Sequence, residues 1–454
     1  MLILPIDSGR YCTPEMAGVF DEESRLQKML DAEAALAWAL AKVGIIPRKD
    51  AETISRKAST KYVKLSRMKE IEDRIQHDIM AMVEALAEVC GESGGYVHLG
   101  ATSNDINDTA TALQFKDAFS VIIPKLVNLE RTLMDKTEKY KKTLMIGRTH
   151  GQHALPITLG LKFAVWMMEI SRHIERLMQC RERTLVGKFT GAVGTQAGMG
   201  KKGVIVQKLV MKKLGLKPVE VSTQIVQRDR YAELICCLAL IASTLDKFST
   251  EIRELQRPEI GELSEPFDMK KQVGSSTMPH KMNPIKSERI CGLAKFMRGL
   301  VIPALENVPN WQERDLTHSS CERIIIPSGF ILLDYMLNLM NKILPQLNVD
   351  ERRMIENMKI TQGRFMSESV MLKLTKKGVS RQEAHQIVRR LSIKSLVEKR
   401  EFKEILTEDN TLRRYLSRKE INETLDPKNY LGTTLEQIET ATSSIKERLH
   451  IKID

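Results

Sequence analysis

The chain has 454 residues, 42% of them hydrophobic, 28% charged and only 5% aromatic, with a formal net charge of +12 and a pI of about 9.2. That length can bury a large core and favours about three domains. Leu, Ala, Met, Glu and Lys outnumber the aromatics, which favours helix over sheet. No long block of like charges, aromatic RNA-binding motif or zinc-finger spacing occurs, so the basic balance points to anionic small molecules and away from nucleic acid. The seven cysteines form no CxxC pair and no disulfide framework, as expected of reduced thiols in a cytoplasmic protein. No signal-peptide pattern opens the chain. The longest apolar run, Leu234 to Ala242, is too short to cross a bilayer, so no membrane partner is expected.

In chain order, residues 22–44 read as an amphipathic helix with Leu26, Met29, Leu30, Ala37 and Leu40 on one face and Gly44 as a stop. A second helical pattern covers 68–90. Much longer patterns follow at about 105–144 (tolerating Pro124), 157–185, 223–258, 284–306 and 323–344. Runs of this length suit parallel rods in a bundle. Leu234, Ile235, Leu238, Ile241 and Leu245 give an almost all-round apolar surface, which predicts a core shared between subunits. From about 361 the helices shorten and charge becomes dense. Ser380 and Glu383 form a capping-box pattern ahead of a further helix. The expected fold is all-α, with an N-terminal helical domain (1–108), a central long-helix domain (109–360) and a C-terminal helical domain (361–454).

Three polar, glycine-containing segments interrupt the helices at 94–108, 143–156 and 264–284. The last holds Gly274-Ser275-Ser276-Thr277-Met278-Pro279-His280-Lys281-Met282-Asn283-Pro284. Its hydroxyls, backbone N–H groups and one lysine suit an anion, while the prolines fix turns. The second holds Arg148, Thr149, His150 and His153 between glycines, and imidazole titrates near working pH. The first holds Thr102, Ser103, Asn104 and Asp105, good helix caps at what is also an anion-binding helix start. Gly198 to Gly203 fits GxGxxG, but residues 187–197 do not read as a buried strand, so no dinucleotide site is expected. Neither HExxH nor a His/Cys cluster with metal spacing is present; no metal and no cofactor are expected.

The 274–284 pattern resembles the signature loop of the fumarase/aspartase superfamily, whose members release fumarate by β-elimination. Gly147 to Ala154 resembles the RTHGQ segment of the adenylosuccinate lyase family within it. Three further stretches are similar to segments of that family: Arg10 to Met16, Val97 to Ala110 and Glu313 to Arg323. The resemblance covers nearly the whole chain and implies a C–N lyase without cofactor. It implies that Ser275 is the general base and His150 the acid that protonates the leaving nitrogen, with Thr149 beside it on the substrate. His77 would assist, with Asp78 a ligand; Gln76 departs from the arginine that many members carry before this histidine. Thr102 and Ser103 would contact the succinyl group and Gln224 a substrate carboxylate. Lys281 and Asn283 would stabilise the developing aci-carboxylate, and Glu288 would position His150 or Lys281. Arg10, Tyr11, Arg314, Ser319 and Arg323 would meet phosphate and ribose, for which guanidinium forks are well shaped. The implied substrates are adenylosuccinate and succinyl-aminoimidazole-carboxamide ribotide. The implied assembly is a homotetramer whose sites draw His150, Ser275 and Thr102 from separate chains. Carboxymuconate cycloisomerases share the loop, and lyase folds recruited as lens crystallins share the architecture; both remain alternatives from sequence.

Overall fold

The computed structural model describes residues 4–451, and helices account for most of them. The only strands among the described residues form three two-stranded ladders. The chain divides into two compact units. One comprises Met1–Val127, His173–Asp246 and Ile290–Leu339; the other comprises Asn128–Arg172, Lys247–Arg289 and Met340–Asp454. Four long helices, Ser103–Lys139, Leu159–Thr184, Asp229–Leu255 and Thr317–Ile343, contribute residues to both.

In the first unit, Leu30, Leu36, Ile54, Met82, Leu86, Val206 and Met211 belong to one buried cluster. Full burial of such a side chain is worth about 1.5–3 kcal/mol. An aromatic knot adds to it: Phe330 packs on Phe115, Phe119 and Phe20 at 5.8, 5.9 and 5.6 Å, and Phe115 meets Tyr231 edge-on at 5.1 Å. In the second unit Trp166 stacks on Phe248 at 4.4 Å and meets Phe163 edge-on. Toward the C-terminus, Val370, Leu374, Leu391, Phe402, Leu406 and Ile421 form a separate small core. Ser380 caps the Arg381–Glu398 helix by accepting from Glu383 N; a full reciprocal box is formed at Ser417 and Glu420.

Several sequence expectations are corrected. The 68–90 pattern is two helices, Leu65–Ile75 and Asp78–Cys90, because Gln76 turns left-handed (φ 56°) and His77 becomes the next N-cap. The polar segment 143–156 is an antiparallel hairpin, Leu144–Thr149 with Gln152–Thr158. The 284–306 pattern is divided into Ile285–Gly299 and Val301–Glu306. Leu234, Ile235, Leu238, Ile241 and Leu245 are each no more than 1% exposed in the single chain, so no second subunit is needed to bury them. Among the described residues one helix, Thr317–Ile343, is long and apolar enough to cross a bilayer, with 67% of its apolar window buried inside the structure. The run escapes notice in sequence because Pro327, Asp334 and Asn338 interrupt it.

Candidate active site

The first unit contains a cavity of about 360 Å³ lined by Arg25, Asn107, Arg228, Arg314, Ser319 and Arg323, among others. Its floor is set by Arg228, whose five N–H donors are all used. Nε and Nη2 donate to Glu322 (2.7 and 3.2 Å), Nη1 and Nη2 to Asp108 (3.1 and 3.0 Å), and Nη1 also to Val226 O (2.6 Å). Asp108 additionally accepts from Val226 N at 2.7 Å. One buried guanidinium thus ties together the Ser103–Lys139 helix, the segment before Asp229 and the Thr317–Ile343 helix. Burial pushes the Glu322 carboxyl up to about 7, with Arg228 pulling against it. Burial, followed by repulsion from Arg228, pushes His318 down to about 4. Its Nδ1 meets Asn310 Oδ1 at 3.0 Å.

Of the predicted residues, Arg314, Ser319 and Arg323 line this cavity, and Gln224 and Asp78 bond to two of them, whereas His77, Arg10 and Tyr11 are not among its lining residues. Arg314 Nη1 donates to Gln224 Oε1 at 2.9 Å, and Gln224 Nε2 donates to Ala192 O at 2.9 Å. Arg314 Nε and Asn104 Nδ2 are buried without a partner and remain as donors. Arg323 pairs with Asp78. Burial would raise the Asp78 carboxyl, but the hydrogen bond and attraction of Arg323 outweigh it and hold Asp78 below the usual carboxylate range. His77 is exposed, and its Nδ1 accepts from Met80 N at 3.3 Å. That leaves Nε2 as the proton-bearing nitrogen when the ring is neutral. Arg10 is exposed with its guanidinium 5.7 Å from the Tyr11 ring, which in turn packs on Tyr335 at 5.8 Å.

Thr102 and Ser103 sit at the start of the Ser103–Lys139 helix over a fully buried ion pair, Asp105 with Lys188. Asp105 also accepts from Thr102 N (2.9 Å), Thr190 N (2.9 Å) and Gly191 N (3.2 Å). Just upstream, His98 has φ 63° and is held by Glu33, which accepts from His98 N at 3.1 Å and lies 2.6 Å from its Nδ1. Sequence reading passes over His98, because Glu33 lies on a distant helix.

In the second unit His150 occupies the tip of the hairpin. Thr149 pairs with Gln152, and the two turn residues His150 and Gly151 have φ of 53° and 72°. Both values being positive, this is the turn whose twist matches the paired strands. Thr149 and His150 are exposed. Behind them, burial and then Arg148 lower the pKa of the His153 imidazole.

The 274–284 segment is mostly exposed. Ser275 Oγ accepts from Met278 N (3.0 Å) and Thr277 N (3.3 Å), and Asn283 Nδ2 donates to Gly274 O at 2.8 Å. Gly274 is required there: a Cβ would lie 1.9 Å from Lys281 O. The end of the loop is anchored by Glu265, which accepts from Lys286 N (3.1 Å), Ser287 N (3.0 Å) and Ser287 Oγ (2.9 Å) at the N-terminus of the following helix. Lys281 and Glu288 are exposed, and Glu288 makes no hydrogen bond or ion pair to His150 or Lys281 within the chain. Among the described residues, no three His, Cys, Asp or Glu side chains gather as a metal group.

Residues 9–299 match the family model described as lyase, and residues 363–441 match that of the adenylosuccinate lyase C-terminus. The chain is 54% identical over 447 residues to adenylosuccinate lyase of Pyrococcus horikoshii, covering 98% of this chain and 99% of the relative. It is 49% identical to that of Methanocaldococcus jannaschii, covering 99% and 97%. Among solved structures it is similar to 3-carboxy-cis,cis-muconate lactonizing enzyme from Pseudomonas putida (TM-score 0.89, 32% identity, covering 98% and 99%). It is also similar to a fumarate lyase from Mesorhizobium (TM-score 0.89, 31% identity, covering 95% and 98%). The chain therefore belongs to the adenylosuccinate lyase family, C–N lyases of the fumarase/aspartase superfamily.

Proposed function

We propose that this enzyme cleaves adenylosuccinate to AMP and fumarate, and succinyl-aminoimidazole-carboxamide ribotide to its carboxamide and fumarate, as a cytoplasmic enzyme of purine nucleotide synthesis. The observation that carries the reading is the arginine-rich cavity. Arg314, Ser319 and Arg323, with donors left over on Arg314 Nε and Asn104 Nδ2, suit a phosphorylated ribose better than a substrate bearing carboxylates alone. Arg10 and Tyr11 complete the phosphate contacts, with Thr102, Ser103, Asp78 and Gln224 on the rest of the substrate.

Ser275 takes the proton from the succinyl Cβ. Two backbone N–H groups already point at its Oγ, and donors to an oxygen favour its anionic form. The electron pair spreads into the neighbouring carboxylate, where Lys281, Asn283 and the loop amides stabilise it. The Cα–Cβ double bond forms, the C–N bond breaks, and His150 gives its proton to the departing nitrogen. His77 assists at the site, and Glu288 orients His150 or Lys281 across a subunit boundary. The enzyme is a homotetramer whose sites are shared by three chains. Leu240, Phe296, Ile302, Leu305 and Ile324 support this, since each is at least 46% exposed on the isolated chain.

The test is fumarate release by the purified protein from adenylosuccinate, from succinyl-aminoimidazole-carboxamide ribotide and from argininosuccinate, beside turnover of 3-carboxymuconate. Release from the first two alone is expected. Turnover of 3-carboxymuconate with adenylosuccinate inert would overturn the reading.

A further inference from the structure

His150 is held in the left-handed backbone region, which is uncommon for residues other than glycine. A residue persists there when its surroundings over-determine it. The tip itself offers no packing, since Thr149, His150, Gly151 and Gln152 are all exposed. The restraint comes from the residue before. Arg148 Nη1 and Nη2 donate to Glu262 Oε2 and Oε1 at 2.9 and 2.7 Å, a bidentate pair. Glu262 is fully buried, and Asn357 Nδ2 donates to the same Oε1 at 2.7 Å while also holding Ile260 O at 2.8 Å. The backbone of Glu262 is fixed as well: its N–H donates to Leu255 O, and its carbonyl accepts from Asp350 N. A register shift between Ile146 and Arg148 turns the strand just where the guanidinium must reach the carboxylate. At that point Gly147 passes so close to Leu155 O that a Cβ would lie 2.9 Å away.

We infer that Glu262, backed by Asn357, is a positioning residue for His150, acting through Arg148 to fix where the hairpin tip delivers its proton. The inference rests on the reading of His150 as the general acid. A buried bidentate pair adds little net stability over a packed apolar core, but it fixes an orientation in two contacts at once. Misplacing a proton donor by about an ångström costs rate on the order of a hundredfold.

The experiment uses the full-length enzyme with adenylosuccinate and compares Glu262→Gln, Asn357→Ala, His150→Gln and the double variant Glu262→Gln/His150→Gln. Glu262→Gln is expected to lower kcat by about tenfold or more while KM stays within about threefold. Asn357→Ala should show a smaller loss of the same kind. Amide exchange should quicken over residues 147–153 and stay unchanged elsewhere. In the His150→Gln background, Glu262→Gln should lower kcat by less than about twofold, because nothing remains for it to aim. An unchanged kcat in Glu262→Gln, with His150→Gln slowed by about a hundredfold or more, would overturn the inference and leave the reading of His150 intact. So would a loss of exchange protection across the whole unit. Full activity in His150→Gln would overturn the reading itself, and the inference with it.

Discussion

The arginine cavity and the 274–284 loop are built on opposite principles. In the cavity, one buried guanidinium spends all its donors on two carboxylates and a carbonyl, and three chain segments are fixed by it. In the loop, Ser275, Lys281 and Asn283 hang on a few local hydrogen bonds, and Glu265 secures the far end only. The cavity is preorganised, as suits recognition of a fixed shape and charge. The loop leaves its groups accessible, as suits chemistry completed only when substrate is bound. Variants in the cavity should therefore cost stability or affinity, and variants in the loop should cost turnover with little change in stability.

The largest effect should come from the loop. Ser275→Ala is expected to lower kcat by about a thousandfold, in the range of general acid–base contributions, with an unaltered melting temperature. Fumarate release and calorimetry on one preparation would check both, and a fall in melting temperature would erase the contrast. Arg228→Ala should do the reverse. Removing one partner of a buried ionic network costs about 3–5 kcal/mol, to be read from urea unfolding. A stable variant would mean that the three segments are held by packing alone.

Arg314→Ala, at the cavity wall, should raise KM by about tenfold or more through loss of charge-assisted hydrogen bonds worth about 1.5–3 kcal/mol, with kcat nearly kept. Steady-state kinetics would decide, and a kcat loss without a KM change would move Arg314 to the chemistry. The smallest effect concerns pH. His318 is pushed from 6.5 down to about 4, by burial first and Arg228 second, so it is neutral in the folded enzyme. The unfolded chain binds that proton below about pH 6.5 and the folded chain only near 4. This contribution is therefore present above pH 6.5 and is lost as pH falls toward 4. Melting curves between these values should fall less steeply for His318→Gln than for the unaltered enzyme.

Much of the scaffold is legible from the chain alone. Apolar spacing finds the Glu22–Lys42 and Leu159–Thr184 helices to within about two residues at each end and the Asp229–Leu255 helix to within about six, because burying a stripe of leucines needs only helical periodicity. The 68–90 break is invisible, since Gln76 is an ordinary helix former and its left-handed turn is imposed by the new start at His77. The hairpin around His150 is missed for a similar reason. His150-Gly151 is not the usual Asn-Gly or Asp-Gly turn signature, and neither Leu144–Thr149 nor Gln152–Thr158 alternates strictly between apolar and polar residues, so the local pairing across the turn leaves little pattern in the sequence.

The chain by itself determined the helical class, because hydrophobic period acts over a few positions. It also marked His150, Ser275, Lys281 and the arginines as candidates, through short ordered patterns. Only the tertiary structure decided who holds them: Arg228 against Asp108 and Glu322, Lys188 under Asp105, Glu33 behind His98 and Glu262 behind Arg148. Each of these is a buried charge whose desolvation is tolerable only beside a partner dozens of residues or more away, and such pairing leaves no local pattern in a sequence.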